Sequence, residues 1–203
     1  MNIGIINNGI SNVGSVVSAF EFYRHTTELI DTGSRLKIPD ILVLAGVGCF
    51  NVAAERLKQN GIWEALQEEV IVRRKPVLGI CLGMQLFASI GYENGANPGL
   101  GWMPGKVIRI DDPAVRVPHM GWDEVSPAEQ SLFNRIKSNC FYFMHSYHFV
   151  PDDPSVIAAT TKYGKQELVA AVIKDNIVGA QFHPEKSQGD GMRFLFNVLE
   201  RIV

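Results

Sequence analysis

Pro76-Val77-Leu78-Gly79-Ile80-Cys81-Leu82-Gly83-Met84-Gln85 reads as a strand that runs straight into a helix, with a cysteine at the corner. Val77 to Ile80 is the short continuous apolar run that a strand buried on both faces requires. Met84, Phe87 and Ala88 then recur at helical spacing, which predicts a helix closed by Gly91 as its C-cap. Gly79 and Gly83 flank Cys81 two residues to either side. A Gly-x-nucleophile-x-Gly pattern between strand and helix puts the central residue on a sharp, strained turn where neighbouring side chains would collide. The sulfur of Cys81 would project beyond the C-terminal edge of a sheet. It would sit at a helix N-terminus, whose dipole favours the thiolate. The amide of Leu82 would face the same space and could donate to an oxyanion. The bland alternative is a small buried hydrophobe, the common role of a free cysteine; the strand–turn–helix context favours the nucleophile.

Working toward the N-terminus, Ile41-Leu42-Val43-Leu44 is a second buried strand and ends in Ala45-Gly46-Val47-Gly48. Ile3 to Ile6 is a third, followed by a helical pattern over about 15–23. Ile62, Leu66 and Val70 mark another helix. Strands alternating with helices predict a mostly parallel central sheet flanked by helices, an α/β fold. Working toward the C-terminus, 91–101 holds four glycines and a proline and predicts a loop. Beyond it lie β-type segments at Lys106–Ile110, Trp122–Val125, Phe141–Phe143, Tyr147–Val150, Val156–Thr161 and Leu168–Ile173. Asp175-Asn176 before Ile177–Phe182 predicts a hairpin. These form an additional antiparallel region. A last helix carries Met192, Leu195, Phe196 and Leu199 on one face, with a cap signature in Ser187 and Asp190. Neither linker nor repeat interrupts the 203 residues, so 1–203 reads as one domain.

The net charge of −2 offers no basic surface for nucleic acid or an anionic membrane. No segment approaches the roughly 18 apolar residues of a membrane span, and the N-terminus lacks a signal-peptide pattern. A cytoplasmic protein is expected. Three cysteines, an odd number at wide spacing, fit neither a disulfide framework nor a metal site. One reactive cysteine, with Cys49 and Cys140 buried as structural residues, fits better. Neither metal nor cofactor is expected.

A cysteine nucleophile needs a base and a group that orients the base. Of five histidines, His183 ends an apolar strand just before Pro184, which cannot continue the ladder. In extended geometry His183 and Glu185 would project to the same side, carboxylate beside imidazole. A structural histidine at a strand end is the alternative for His183 taken alone. Gly46-Val47-Gly48 ends a strand at the same predicted edge and could supply a second N–H to an oxyanion, a weak signal by itself.

Together, Gly79-Ile80-Cys81-Leu82-Gly83-Met84-Gln85 and His183-Pro184-Glu185 resemble the class I, or triad, glutamine amidotransferases. More narrowly, four stretches look like the glutaminase subunits of imidazole glycerol phosphate synthase. They are Gly46-Val47-Gly48, Val117–Trp122, Phe141–Tyr147 and Gln181–Ser187. The resemblance covers essentially the whole chain. It implies that Cys81 attacks the carboxamide of L-glutamine, His183 moves the proton and Glu185 orients His183. It implies an oxyanion held by amides near Val47, Gly48 and Leu82, and glutamine placed by Gln85 and the His145-Ser146-Tyr147 segment. It implies a heterodimer with a (β/α)₈-barrel cyclase subunit that receives the ammonia and makes imidazole glycerol phosphate, a step of histidine biosynthesis. Asn12, Trp122 and Lys186 would lie on the docking face.

The chain departs from the family at Asn7-Asn8, where an Asp-Tyr pair is usual, and at Ala45, where proline is usual. Neither departure touches the triad. Two further readings are a paralogue that supplies ammonia to a surface-sugar amidotransferase, and a non-catalytic binding module of the same shape. The intact Cys81, His183 and Glu185 argue against the second.

Overall fold

The computed structural model describes residues 1–7, 9 and 13–202. In chain order the N-terminal half contains β1 (Asn2–Ile6), α1 (Val13–Phe22), β2 (Thr26–Ile30), β3 (Ile41–Gly46), α2 (Phe50–Gln59), α3 (Ile62–Leu66), β4 (Val77–Cys81) and α4 (Leu82–Gln85). The remainder contains β5 (Ile90–Gly91), β6 (Asn97–Pro98), β7 (Gly105–Arg109), β8 (His119–Pro127), β9 (Cys140–His145), β10 (Tyr147–Pro151), β11 (Ile157–Tyr163), β12 (Gln166–Lys174), β13 (Ile177–Ala180) and α5 (Gln188–Ile202).

A nine-stranded sheet runs in the order β2-β1-β3-β4-β13-β12-β11-β8-β9. Its first five strands are parallel, and from β13 onward the neighbours are antiparallel. A smaller sheet, β10-β7-β5-β6, packs beside it. The apolar runs have a direct physical cause. In β3, Ile41, Val43 and Ala45 face one core, shared with Val16 and Phe20 of α1 and Phe194, Leu195 and Val198 of α5. Leu42 and Leu44 face the other core, shared with Phe50 and Leu57 of α2 and Ile62 and Leu66 of α3. Both faces of the strand are covered, so every position must be apolar. No helix among the described residues is long and apolar enough to cross a membrane.

The α/β architecture with its antiparallel extension agrees with the sequence pattern, and the β12–β13 hairpin turns at Asp175 with φ 53°. Several local expectations do not survive. The helix after Cys81 is a single turn, Leu82–Gln85, and Gly91 is no cap but a strand residue of β5. A Cβ at Gly91 would press on the ring of Phe50, so the glycine serves close packing. The helix through Val70 is split, α3 passing at Gln67–Val72 into a π-helical turn. The loop at 91–101 contains β6. Cys49 and Cys140 are half-buried, because each sits at the margin of an element.

Candidate active site

Cys81 ends β4 with φ 54° and ψ −109°, a backbone conformation that side-chain-bearing residues rarely adopt. The flanking glycines make the turn possible. A Cβ at Gly79 would strike the Phe87 ring and the Met84 nitrogen, and one at Gly83 would overlap the Leu44 carbonyl oxygen. Because α4 is only one turn long, its dipole has little length to act through. Polar contact with the sulfur therefore comes chiefly from the groups packed around it.

Sheet register delivers those groups. Gly46 pairs with Cys81 across β3 and β4, which sets Gly46-Val47-Gly48 beside the sulfur. Gly48 turns with φ 100°, a region open to glycine. Ala180 pairs with Ile80 across β13 and β4, so the chain leaves β13 next to Cys81. Gln181, wholly buried, donates from Nε2 to Cys81 Sγ at 3.6 Å. The thiol in turn approaches the Met144 carbonyl at 3.7 Å. His183 follows two residues later, its N–H bound to the Tyr142 carbonyl at 2.8 Å.

His183 and Glu185 are not in the extended geometry that would put alternate side chains on one side. Pro184–Lys186 is a 3₁₀ turn, because proline fixes φ in the helical range at its first position. The turn still closes the expected pair: His183 Nδ1–H donates to Glu185 Oε1 at 2.9 Å, with both side chains buried. Nδ1 is thereby engaged, and Nε2 is buried without a protein hydrogen-bond partner. Burial works to lower the His183 pKa, but the nearby Cys81 sulfur and then Glu185 outweigh it and push the pKa up to about 10. Ser187 does not cap α5 with its hydroxyl. Its Oγ donates to the His183 carbonyl at 2.6 Å and accepts the Tyr142 N–H at 3.0 Å, tying the turn to β9. Phe182, stacked on Phe141 at 4.1 Å between ring centres, anchors the same segment in the core.

A cavity of about 220 Å³ opens over Cys81 and is lined by Val47, Gly48, Leu82, Gln85, His145, Ser146 and Tyr147. All of the residues expected for oxyanion or substrate contacts therefore meet in one place. Gln85 is more committed than the sequence suggested: its Nε2 is held by the Tyr147 carbonyl at 2.7 Å and by Gln181 Oε1 at 3.0 Å. Glu93, Pro118 and Met144 also line the cavity; Pro118 and Met144 fall within the family-like stretches quoted above without a role of their own, and Glu93 lies in none of them. Glu93 lies in the glycine-rich stretch and accepts the Phe50 N–H at the start of α2 through Oε2, at 2.7 Å. Nothing local in the sequence distinguishes it from a solvated loop carboxylate. Gln181 could have been noticed from its place two residues before His183.

On the far side of His183, Lys186 lies over the Tyr142 ring at 6.0 Å, and Trp122 packs edge-on against the same ring at 6.0 Å. Trp122 and its neighbour Met120 are exposed, so an apolar surface stands next to the site. Asn12 lies outside the described residues.

Residues 3–202 match the family model of glutamine amidotransferase class-I. The chain is 41% identical to the imidazole glycerol phosphate synthase subunit HisH of Pelagibacter ubique, over 98% of this chain and 99% of that protein. It is 39% identical to the imidazole glycerol phosphate synthase subunit HisH 2 of Pseudomonas aeruginosa, over 98% and 100%. A solved glutamine amidotransferase superposes with a TM-score of 0.77 at 17% identity, covering 98% of this chain and 97% of that one. A second, from Thermotoga maritima, superposes at 0.66 with 18% identity, over 99% and 83%. At those identities the superpositions speak for the fold alone.

Proposed function

Because the chain belongs to the class-I glutamine amidotransferases, and within them to the HisH subunits, we propose that it is the glutaminase half of an imidazole glycerol phosphate synthase. Residues 1–203 act as one domain in the cytoplasm, and ammonia passes to a (β/α)₈-barrel cyclase partner. One observation carries the chemistry: a strained cysteine at a sheet edge, beside a buried histidine whose other nitrogen is bound to a carboxylate.

The steps follow from that arrangement. Cys81 transfers its proton to His183 and attacks the carboxamide carbon of L-glutamine. The oxyanion is held by backbone N–H groups near Val47, Gly48 and Leu82, each such donor being worth about 3 kcal/mol. His183 returns the proton to the departing nitrogen, and ammonia leaves behind a Cys81 thioester. Water, deprotonated by His183, then hydrolyses the thioester to glutamate and restores the thiol. Glu185 keeps the proton on Nδ1 and stabilises the imidazolium at each stage. Ser146, His145, Tyr147 and Gln85 shape the cavity around the glutamine chain, and the Glu93 carboxylate suits its α-ammonium group.

The exposed Trp122 and Met120 with Lys186 support docking of the cyclase over this edge, since aromatic residues dominate interface energies. Asn12 belongs to the same proposed face. In the barrel the ammonia would complete imidazole glycerol phosphate, a step of histidine biosynthesis. A second reading keeps the glutaminase chemistry and gives the ammonia to a surface-sugar amidotransferase; the relative numbered HisH 2 carries the imidazole glycerol phosphate synthase name and favours the first.

The test is glutamate release by the wild type and by Cys81→Ala, each with and without the barrel protein that co-purifies. Weak activity alone, stimulation by the partner, and none in the variant are expected. A Cys81→Ala protein that hydrolysed glutamine would refute the assignment. Recovery of a surface-sugar synthase instead of the cyclase would replace the pathway and keep the chemistry.

A further inference from the structure

A second polar cluster runs back from the cavity wall at His145, and its outer members, His119 and Asp123, take no part in the steps above. His119 and His145 face each other in register across β8 and β9. Their rings meet through His119 Nδ1 and His145 Nε2 at 3.0 Å. His119 Nε2 lies 2.6 Å from Asp123 Oδ2. His145 Nδ1 lies 2.9 Å from the Tyr147 carbonyl, the same oxygen that accepts Gln85 Nε2. Gln85 then meets Gln181, and Gln181 meets Cys81 Sγ. A hydrogen-bonded path thus joins Asp123, on the strand that presents Trp122, to the sulfur.

The proton count of this path is informative. The contacts Asp123–His119, His119–His145 and His145–Tyr147 each need one proton between two acceptor atoms. A neutral imidazole carries a single N–H, and a carbonyl carries none. Two neutral rings therefore fall one proton short. If His145 donates to Tyr147, then His119 must donate to His145, and His119 Nε2 faces the carboxylate with a bare lone pair. All three contacts hold together only with an extra proton shared by Asp123 and His119.

We propose that Asp123 and His119 are positioning residues that share this extra proton, fixing His145 as the Nδ1–H tautomer against the Tyr147 carbonyl and thereby holding Gln85 and Gln181 toward Cys81. His145 stays neutral: burial, and then the neighbouring His119, push its pKa down to about 3. The other titratable groups near the cluster are His148 and His183 around His145, Tyr163 stacked on His119, and Cys140 beside Asp123. Burial holds the His119 pKa below its ordinary value, and the Asp123 carboxylate offsets only part of that. The proton is therefore held loosely and departs as pH rises. Its loss sets Asp123 and the Tyr147 carbonyl in competition for one tautomer, and the cavity wall loosens. The effect on rate rests on the glutaminase reading; the protonation state does not.

Asp123→Asn separates the two. An amide can donate to His119 Nε2, so the chain closes with neutral rings and needs no extra proton. Two-bond ¹⁵N–¹H spectra of histidine-labelled full-length protein, recorded from about pH 5 to about pH 8, are expected to show His119 of the wild type doubly protonated at the acid end. His145 should carry Nδ1–H, and Asp123→Asn should show His119 as a neutral Nδ1–H ring throughout. In parallel, KM for glutamine in the wild type is expected to rise about 2- to 10-fold as the proton leaves, the equivalent of one neutral hydrogen bond. KM of Asp123→Asn should stay flat across that range and kcat should move little in either. A wild-type His119 with one proton at every pH would overturn the proposal. So would a His145 carrying Nε2–H at the acid end, or superimposable KM profiles. A wild type without glutaminase activity would overturn the functional reading and the KM link, while the spectra decide the proton in either case.

Discussion

Glu185→Gln keeps the shape behind His183 and removes the charge. The bond it changes is 2.9 Å long, between side chains only 3% and 4% exposed, so water neither screens nor replaces it. A buried hydrogen bond to a charged group contributes about 1.5–3 kcal/mol. With a factor of ten in rate for each 1.4 kcal/mol or so, kcat for glutamine hydrolysis falls about 10- to 150-fold. A carboxamide nitrogen turned toward Nδ1 would also favour the wrong tautomer and deepen the loss. Stability should respond differently. Glu185 Oε2 is buried with no protein partner, an uncompensated oxygen that the fold tolerates at a cost. The amide variant should melt no lower than the wild type, as expected where a site trades stability for activity. Steady-state glutamate release and calorimetry on the same preparations read both quantities. A variant turning over within about twofold of the wild type would refute the orienting role, and so would a rate loss fully explained by unfolding.

Three other expectations come from the same geometry. Cys81→Ala removes the strongest influence raising the His183 pKa, so its titration midpoint, followed by ¹⁵N NMR, should drop from about 10; an unmoved midpoint would uncouple the pair. Gly83→Ala drives a Cβ into the Leu44 carbonyl and should cost about 1–3 kcal/mol in urea unfolding; an unchanged midpoint would mean the turn has room that the packing denies. His145, held neutral by burial down to about pH 3, takes no proton in the folded state where the unfolded chain does so near pH 6.5. Its contribution is thus complete above pH 6.5 and declines below it by up to about 1.4 kcal/mol per pH unit, which urea midpoints at about pH 7 and about pH 5 will register.

The candidate triad was legible in the sequence because its two parts are each local. Gly79 and Gly83 bracket Cys81, and two positions separate His183 from Glu185. That the two parts meet depends on β4 and β13 being neighbours, and both read as buried strands. The residues whose roles the sequence did not disclose are those placed by non-local register. His119 finds His145 only because β8 pairs with β9, and Gln181 finds Gln85 only because two strand ends converge. Helical periodicity after Cys81 also misled. Met84, Phe87 and Ala88 are all core residues, yet the chain leaves the helix at Gln85, with Phe87 and Ala88 held by tighter turn bonds to Met84 and Gln85. Burial alone reproduces the spacing over one turn, so the pattern could not tell a helix from a compact turn.

The chemistry proposed for this chain requires Cys81, and no other cysteine, to be the nucleophile. Incubation with an electrophilic glutamine analogue, followed by intact and peptide mass spectrometry, puts that requirement to the test. A single adduct on Cys81 is expected, slowed by excess glutamine and absent from Cys81→Ala, with the half-buried Cys49 and Cys140 untouched. An unlabelled Cys81, or an adduct on either of the other two cysteines that glutamine protects, would contradict it.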